Sequence, residues 1–369
     1  MSESKKLSPH VILEINLKNL KFNYSKIKRK VSKKTTVAAT VKADGYGLGS
    51  HEVVKSLIKE KCNVFFVATL DEAISLRKKF KKIQLQVLNG FHSERVKDYD
   101  KYNIIPIINS LQQLEDIEKY SKKTKKMNIS IHFDTGMSRL GLDNSETEHL
   151  LRKKEILIKH SNLKLVMSHL ACGDEPKHRK NLAQLKSFKK ICAHFPNVTK
   201  SLSNSAGILL GRSYDFDLVR PGISLYGGHC QKNQNSSIYK NVISLKSKII
   251  QKRIIYKDDT VGYGGTFKAK NKMLIGTLPI GYADGFFRSF SNKGSFYLLG
   301  KKVPIIGRIS MDLTTIDLTS LRNKNLNKNV LVEVIGNKNN VNHLSKIIST
   351  ISYEILTSLG KRYQRRYIA

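Results

Sequence analysis

At 369 residues the chain can hold one large domain and a smaller one; it carries no membrane-length apolar run and no apolar signal core behind Met1, so a cytoplasmic protein is expected. Its formal charge of +37 comes from lysines spread along the chain, with short clusters such as 77–82 and 122–126 and no RNA-binding signature or zinc finger, which favours solvated faces over a nucleic-acid partner. Four cysteines (Cys62, Cys172, Cys192, Cys230) without CxxC pairing fit a reduced compartment and make a metal site unexpected.

Taken in order, residues 11–17 alternate apolar and polar as a strand, and 17–31 read as a basic helix. The stretch 36–41 reads as a buried strand, and Lys42 stands where it ends. Behind Lys42, three glycines at alternating positions (Gly45, Gly47, Gly49) disfavour a regular helix and let backbone approach a ligand. An amine on a rigid strand end, beside the phenol of Tyr46, is suited to forming a Schiff base with an aldehyde. Further strands are expected over 63–69, 83–90, 103–109, 127–134, 163–170, 198–203 and near Leu218. Helices are expected over 51–59, 71–79 (with Asp71 as cap), 110–120, 145–154 and 180–194. Pro106 complicates the 103–109 strand.

Eight strands alternating with helices point to a (β/α)8 TIM-type barrel, whose chemistry gathers at the C-terminal strand ends. Lys42, Asn89, Asp134, His169, Ser205 and Arg220 all fall at such ends. From about Ile238 the helical rhythm stops and strand-like runs over 242–250, 274–280, 300–306 and 330–334 follow, separated by Gly and Asn turns. The expected organisation is a barrel over 1–238 and an all-β C-terminal domain over 239–369, with the first strand (about 11–17) free to pack with the latter.

Val41-Lys42-Ala43-Asp44-Gly45-Tyr46-Gly47-Leu48-Gly49 resembles the cofactor-lysine motif of the alanine racemases, which carry pyridoxal phosphate (PLP) on that lysine. Asp134-Thr135-Gly136-Met137-Ser138-Arg139-Leu140-Gly141 is similar to their DTGMxRLG signature, and the likeness continues through Ser168-His169-Leu170-Ala171, Ser203-Asn204-Ser205 and Arg220-Pro221-Gly222-Ile223. It implies that Lys42 anchors the cofactor and that Tyr46, Asn204, Ser205, Gly222 and Ile223 serve cofactor binding, most of them at the phosphate. It further implies that Arg139 approaches the phenolic oxygen and the substrate carboxylate, that His169 lies under the ring, and that Arg220 faces the ring nitrogen. A guanidinium there cannot usefully receive a proton, so the ring stays a weaker electron sink, which suits return of the proton over side reactions.

Inversion is simplest with a base on each face of a planar intermediate, which the resemblance implies is reached by loss of the α-proton from an external aldimine. By resemblance the bases are Lys42 and Tyr263, the latter reaching over from the opposite subunit of a homodimer. A phenol ionises near pH ~10 unless cations lower it, and His169 and Arg220 are the candidate cations. Tyr282 is implied to narrow the entrance and Met311 to contact the substrate carboxylate. The implied activity is interconversion of L- and D-alanine, with D-alanine passing to peptidoglycan.

Two positions depart from the pattern. His132 stands where many relatives have a carbamylated lysine that braces the arginine equivalent to Arg139, and Lys361-Arg362 stand where some have a phosphate-side tyrosine. Alternatives are a broad-specificity amino-acid racemase on the same fold, a fold-related decarboxylase, and a non-catalytic basic nucleic-acid-binding protein.

Overall fold

The computed structural model describes residues 10–232, 234, 238–327 and 330–369, so the reading of residues 1–6 lies outside the described residues. The chain divides into two compact units, one of residues 20–240 and one combining the N-terminal residues up to 19 with 241–369.

The first unit is a parallel barrel. The strands Ala39–Thr40, Val64–Val67, Gln84–Val87, Ile105–Ile108, Met127–His132, Ser161–Met167 and Thr199–Ser201 pair in sequence order. The strand Leu218–Val219 pairs in parallel with Thr36–Val37, so residues 36–40 serve one neighbour on each edge. The ring closes where Asp217 N–H donates to Lys200 O (3.1 Å) and Arg220 N–H to Ser203 O (2.9 Å). Parallel neighbours need long crossovers, and the intervening helices supply them. Strands covered on both faces read as continuous apolar runs, as Val64–Val67 does, and the interior is filled by Ala38, Val64, Phe66, Ile107, Leu165, Met167 and Leu218. Pro106 sits inside the Ile105–Ile108 strand, opposite Val87, where its missing N–H costs one ladder bond without ending the strand.

Helix ends explain where the charge goes. Lys59, Lys101, Lys122, Lys123, Lys154 and Lys190 occupy last turns, where the helix dipole favours cations. In this topology those ends lie away from the strand C-termini that carry the chemistry. In two helices acidic residues take the first turn and build capping boxes, at Thr69/Glu72 and Asp143/Glu146. The cap of the second of the expected barrel helices is therefore Thr69, not Asp71, which lies in the first turn and pairs with Arg95 at 2.6 Å.

Arg77 also departs from the expected solvated cluster. It is buried, and it donates to the carbonyls of Phe80 (3.3 Å), Lys81 (2.7 Å), Tyr102 (2.9 Å) and Asn103 (3.1 Å), tying off a helix C-terminus and the following loop. Arg77→Met keeps the stem and strands these acceptors, and should cost about 2 kcal/mol in urea unfolding. An unchanged midpoint would show that water replaces the guanidinium without penalty.

The second unit is strand-rich. Val11–Asn16 runs antiparallel to Ile243–Lys248 and parallel to Gln364–Ile368 within a six-stranded sheet. Its alternating burial needs that sheet face, so the boundary placed at residue 1 moves to about residue 20. A three-stranded sheet packs around Ile255, Met273, Ile275 and Ile306. The unit is not all-β: Val341–Ile347 and Ser352–Thr357 are helices. The Asn340 side chain caps the first by accepting the N–H groups of Asn342 and His343 (both 3.0 Å), a local signal that outweighs the surrounding strand pattern.

Candidate active site

Lys42 is held by a backbone turn of unusual hand. Ala43, Asp44, Gly45, Tyr46 and Gly47 follow one another with φ of 52, 52, 65, 57 and 79°. Each non-glycine in that region costs roughly 1–2 kcal/mol, so the turn needs anchors. They are Gly45 N–H to Val41 O (2.8 Å), Gly47 N–H to Ala43 O (2.7 Å), Gly49 N–H to Asp44 O (2.8 Å) and Ser50 N–H to the Asp44 carboxylate (2.8 Å). A further bond, from Ala43 N–H to Glu72 Oε1 at 2.6 Å, ties the turn to a neighbouring helix. Burial lowers the pKa of the half-buried Lys42 amine, the Arg139 guanidinium lowers it further, and Glu72 acts in the opposite direction.

The turn delivers Tyr46 inward, stacked on Tyr226 with ring centroids 4.6 Å apart. The Tyr46 hydroxyl lies so close to Gly222 that a Cβ there would sit 2.2 Å from it. Ser205 Oγ accepts Gly222 N–H (2.8 Å), Ser224 N–H (3.3 Å) and the Ser224 hydroxyl (3.0 Å). Ile223 opens the short helical turn Ile223–Tyr226, and the first N–H groups of such a turn lack intrahelical acceptors. Tyr46, Ser205, Gly222 and Ile223 thus form one neutral, donor-rich cradle with glycine at its tightest point.

Beside it lies a buried cation. Arg220 is 4% exposed and donates to Ser201 Oγ, Ser168 O (2.6 Å) and Leu202 O (3.2 Å), with His169 Nδ1 at 3.5 Å. Among the described residues no carboxylate pairs with it. Burial pulls its pKa down to about 9, which still leaves it charged at neutral pH. His169 is shifted in the same direction but ends uncharged: burial first, then Arg220, push it well below its usual range, so it is neutral. It is therefore not one of the cations expected beside a phenolate. Asn204 commits Oδ1 to Gly207 N–H (2.9 Å) and turns its amide nitrogen to His169 Nε2 (3.2 Å).

Asp134 organises the Arg139 loop, accepting N–H groups of Gly136 (2.8 Å), Met137 (2.7 Å) and Ser138 (2.7 Å). Arg139 stands exposed at the tip. His132 is buried with Nδ1 3.0 Å from Asn109 Oδ1. Both hydrogens of the Asn109 amide go to Leu88 O and Ile107 O (3.1 Å each), so Oδ1 must accept and His132 carries its proton on Nδ1. Burial and Arg220 drive its pKa to about 3, so position 132 offers Arg139 a neutral ring instead of a negative charge.

The remaining expected residues stand in the strand-rich unit. Tyr263 is 71% exposed, Met311 54% and Tyr282 44%. Backbone bonds join two of them, since Tyr282 N–H donates to Ser310 O (3.1 Å) and Ala283 N–H to Met311 O (3.0 Å). Arg362 staples the same loops through Asp284 and Asp312 (2.7 Å each), while Lys361 is exposed beside it. Tyr263 sits in a glycine turn against Arg308, whose Nη1 would lie 2.8 Å from a Cβ on Gly264.

Residues 15–230 match the model of the alanine racemase N-terminal domain and 242–367 that of the alanine racemase C-terminal domain. The chain belongs to the alanine racemase family. It is 44% identical to an alanine racemase of Rickettsia akari, over 96% of this chain and 98% of that one. A crystal structure of alanine racemase from Bartonella henselae, with covalently bound pyridoxal phosphate, superposes with a TM-score of 0.93 at 38% identity, over 98% of this chain and 100% of that one. The biosynthetic alanine racemase of Pseudomonas aeruginosa gives 0.89 at 29% identity, covering 98% and 100%.

In this member of the alanine racemase family, several residues that shape the barrel mouth carry no motif of their own. Gln184 donates to His169 O (2.9 Å) and Thr135 Oγ1 (3.2 Å) and accepts Ala171 N–H (2.9 Å), joining the two signature loops. Its signal was available: Asn181 and Gln184 put two amides on the otherwise apolar buried face of the helix Arg179–Ala193. Ser201 gave none, because its partner, the Leu218 carbonyl, lies on another strand.

Proposed function

We propose that this protein interconverts L- and D-alanine with pyridoxal phosphate held on Lys42, as a homodimer whose sites are completed by Tyr263 of a second copy. The observation that carries the reading is the pairing, in one barrel mouth, of the Lys42 amine with the buried, carboxylate-free Arg220. A family match over both domains supports it.

The residues present fit the cofactor. The Tyr46–Ser205–Gly222–Ile223 cradle offers neutral donors suited to a phosphate, and Arg220 offers a donor to a ring nitrogen that it cannot protonate. When bound, the cofactor supplies an aldehyde to hold the substrate amino group and a ring that draws electron density from the α-carbon. Arg139 receives the substrate carboxylate at the exposed tip of its loop, with Met311 of the second copy beside it and Tyr282 narrowing the entrance. Lys42, its ammonium form disfavoured by burial and Arg139, takes or returns the α-proton on one face. The Tyr263 hydroxyl does so on the other. His169, neutral and hydrogen-bonded, positions the ring without exchanging a proton. Synthesis of D-alanine for peptidoglycan in the cytoplasm follows as its cellular role.

The direct test is a chiral assay of the purified protein on L-alanine, with and without added PLP. D-alanine appearing only with PLP is expected; a folded, yellow protein that leaves L-alanine unchanged but racemises serine would move the reading to a broader substrate. Gly222→Ala drives a methyl group into the Tyr46 hydroxyl, and the resulting strain of about 1–3 kcal/mol should weaken PLP retention by roughly tenfold or more. Equilibrium dialysis against PLP reads this, and an unchanged affinity would remove Gly222 from the cradle.

A further inference from the structure

We propose that Glu72 is a positioning residue for Lys42: its carboxylate, bonded to the N–H of the next residue, Ala43, clamps the left-handed turn behind the lysine and from there bears on the charge of the amine. The inference rests on the reading of Lys42 as the cofactor-bearing amine.

Glu72 is the third residue of the helix Leu70–Lys79, and part of its role there is ordinary: Oε2 accepts Thr69 N–H (3.3 Å) while Thr69 Oγ1 accepts Glu72 N–H (3.3 Å), a capping box. The carboxylate does more than the box requires. Oε2 also takes Ala68 N–H at 2.8 Å, and Oε1 reaches a segment 29 residues earlier to take Ala43 N–H at 2.6 Å. One side chain therefore fixes the end of the Val64–Val67 strand, the start of a helix and the residue after Lys42 against one another.

Ala43 is where that fixing matters. It is the first of five consecutive residues at positive φ, and the bonds inside the turn use the N–H groups of Gly45 and Gly47 but not its own. Without Glu72 the N–H of Ala43 loses its acceptor at the point where the chain changes hand. The charge matters as well. Lys42 must be neutral to attack an aldehyde and protonated to give a proton back, while burial and the Arg139 guanidinium both oppose the protonated form. The Glu72 carboxylate is the counterweight. It exchanges no proton itself and touches no substrate.

The test reads Lys42 directly, in full-length protein freed of cofactor and without substrate. Trace acetic anhydride labels lysines across a pH series, and peptide mapping by mass spectrometry follows Lys42 against an exposed lysine. Glu72→Gln removes the charge, and Lys42 labelling near pH ~8 should rise roughly three- to tenfold with its midpoint moved to lower pH. Thr69→Ala weakens the capping box and should lower thermal stability while leaving the Lys42 midpoint in place. A folded Glu72→Gln protein with an unmoved midpoint, or an equal movement in Thr69→Ala, would overturn the proposal and leave Glu72 as a helix cap. Should Glu72→Gln not fold, hydrogen exchange on the unaltered protein decides: an Ala43 amide protected like the barrel strands supports the clamp, and exchange at loop rates refutes it. Failure of the racemase reading is a separate result, seen as absence of D-alanine from the unaltered enzyme.

Discussion

Lys42→Ala is expected to lose the visible absorbance of lysine-bound cofactor and D-alanine formation together, with turnover down by roughly 10⁴-fold or more. On the proposed reading the substitution removes the amine that serves both as covalent anchor and as the base on one face. The phosphate cradle is untouched, because Tyr46, Ser205 and Gly222 hold one another through contacts that do not involve the Lys42 side chain. PLP should therefore still bind, at reduced affinity, and wash out on gel filtration. A spectrum before and after filtration, beside the chiral assay, checks both parts. If either the absorbance or racemisation survives, Lys42 does not hold both roles.

Tyr263→Phe should slow racemisation by roughly 10²–10⁴-fold while leaving the Lys42-bound chromophore intact. Phenylalanine keeps the ring and deletes only the hydroxyl, and at 71% exposure Tyr263 has little packing to lose. Loss of activity without loss of stability would thus report chemistry. A mixing experiment adds the partner question. In a dimer of one Lys42→Ala chain and one Tyr263→Phe chain, one of the two sites regains both bases if the tyrosine comes from the second copy. Refolding the two inactive variants together should then recover activity that neither shows alone. No recovery, in a sample shown to contain mixed dimers, would place both bases on one chain.

The exposure of Tyr263, Tyr282 and Met311 is consistent with that arrangement. Tyr282 and Met311 stand on loops that Arg362 staples together and Tyr263 on a glycine turn of the same unit, and large side chains so exposed are uncommon on a surface that stays wet. Arg362, one of the two positions that depart from the family pattern at the C-terminus, is the staple. Its two ion pairs explain why that position holds an arginine, and nothing in the structure explains the neighbouring Lys361.

Much of the fold was legible because its signals are local and periodic. Strands buried on both faces announce themselves as apolar runs, whereas the one cap read from sequence, Asp71, fell two residues past Thr69, whose hydroxyl takes the Glu72 N–H. Lys42, the loop of Arg139 and the stretches that hold Tyr46, Ser205 and Gly222 read as motifs, since glycines and polar residues fall at strand ends where a barrel keeps its chemistry. Other features were not. Nothing local distinguishes Arg77 from the lysines around it, because its burial depends on the carbonyls of a loop some 25 residues further on. The charge of a histidine is equally non-local. His132 and His169 are both neutral because strands far apart in the chain set Arg220 beside them in a space that excludes water.

The division is therefore a physical one. Sequence by itself determined the alternation of strand and helix, the order of the signature loops and the kinds of group available, because each depends on neighbours a few residues away. Tertiary structure alone decided which hand the turn after Lys42 takes, which carboxylate holds it, which cations stay charged and which histidines do not. Those outcomes are set by bonds such as Ala43 to Glu72 and Arg220 to Ser168, between residues 29 and 52 apart, and they exist only once the barrel has closed.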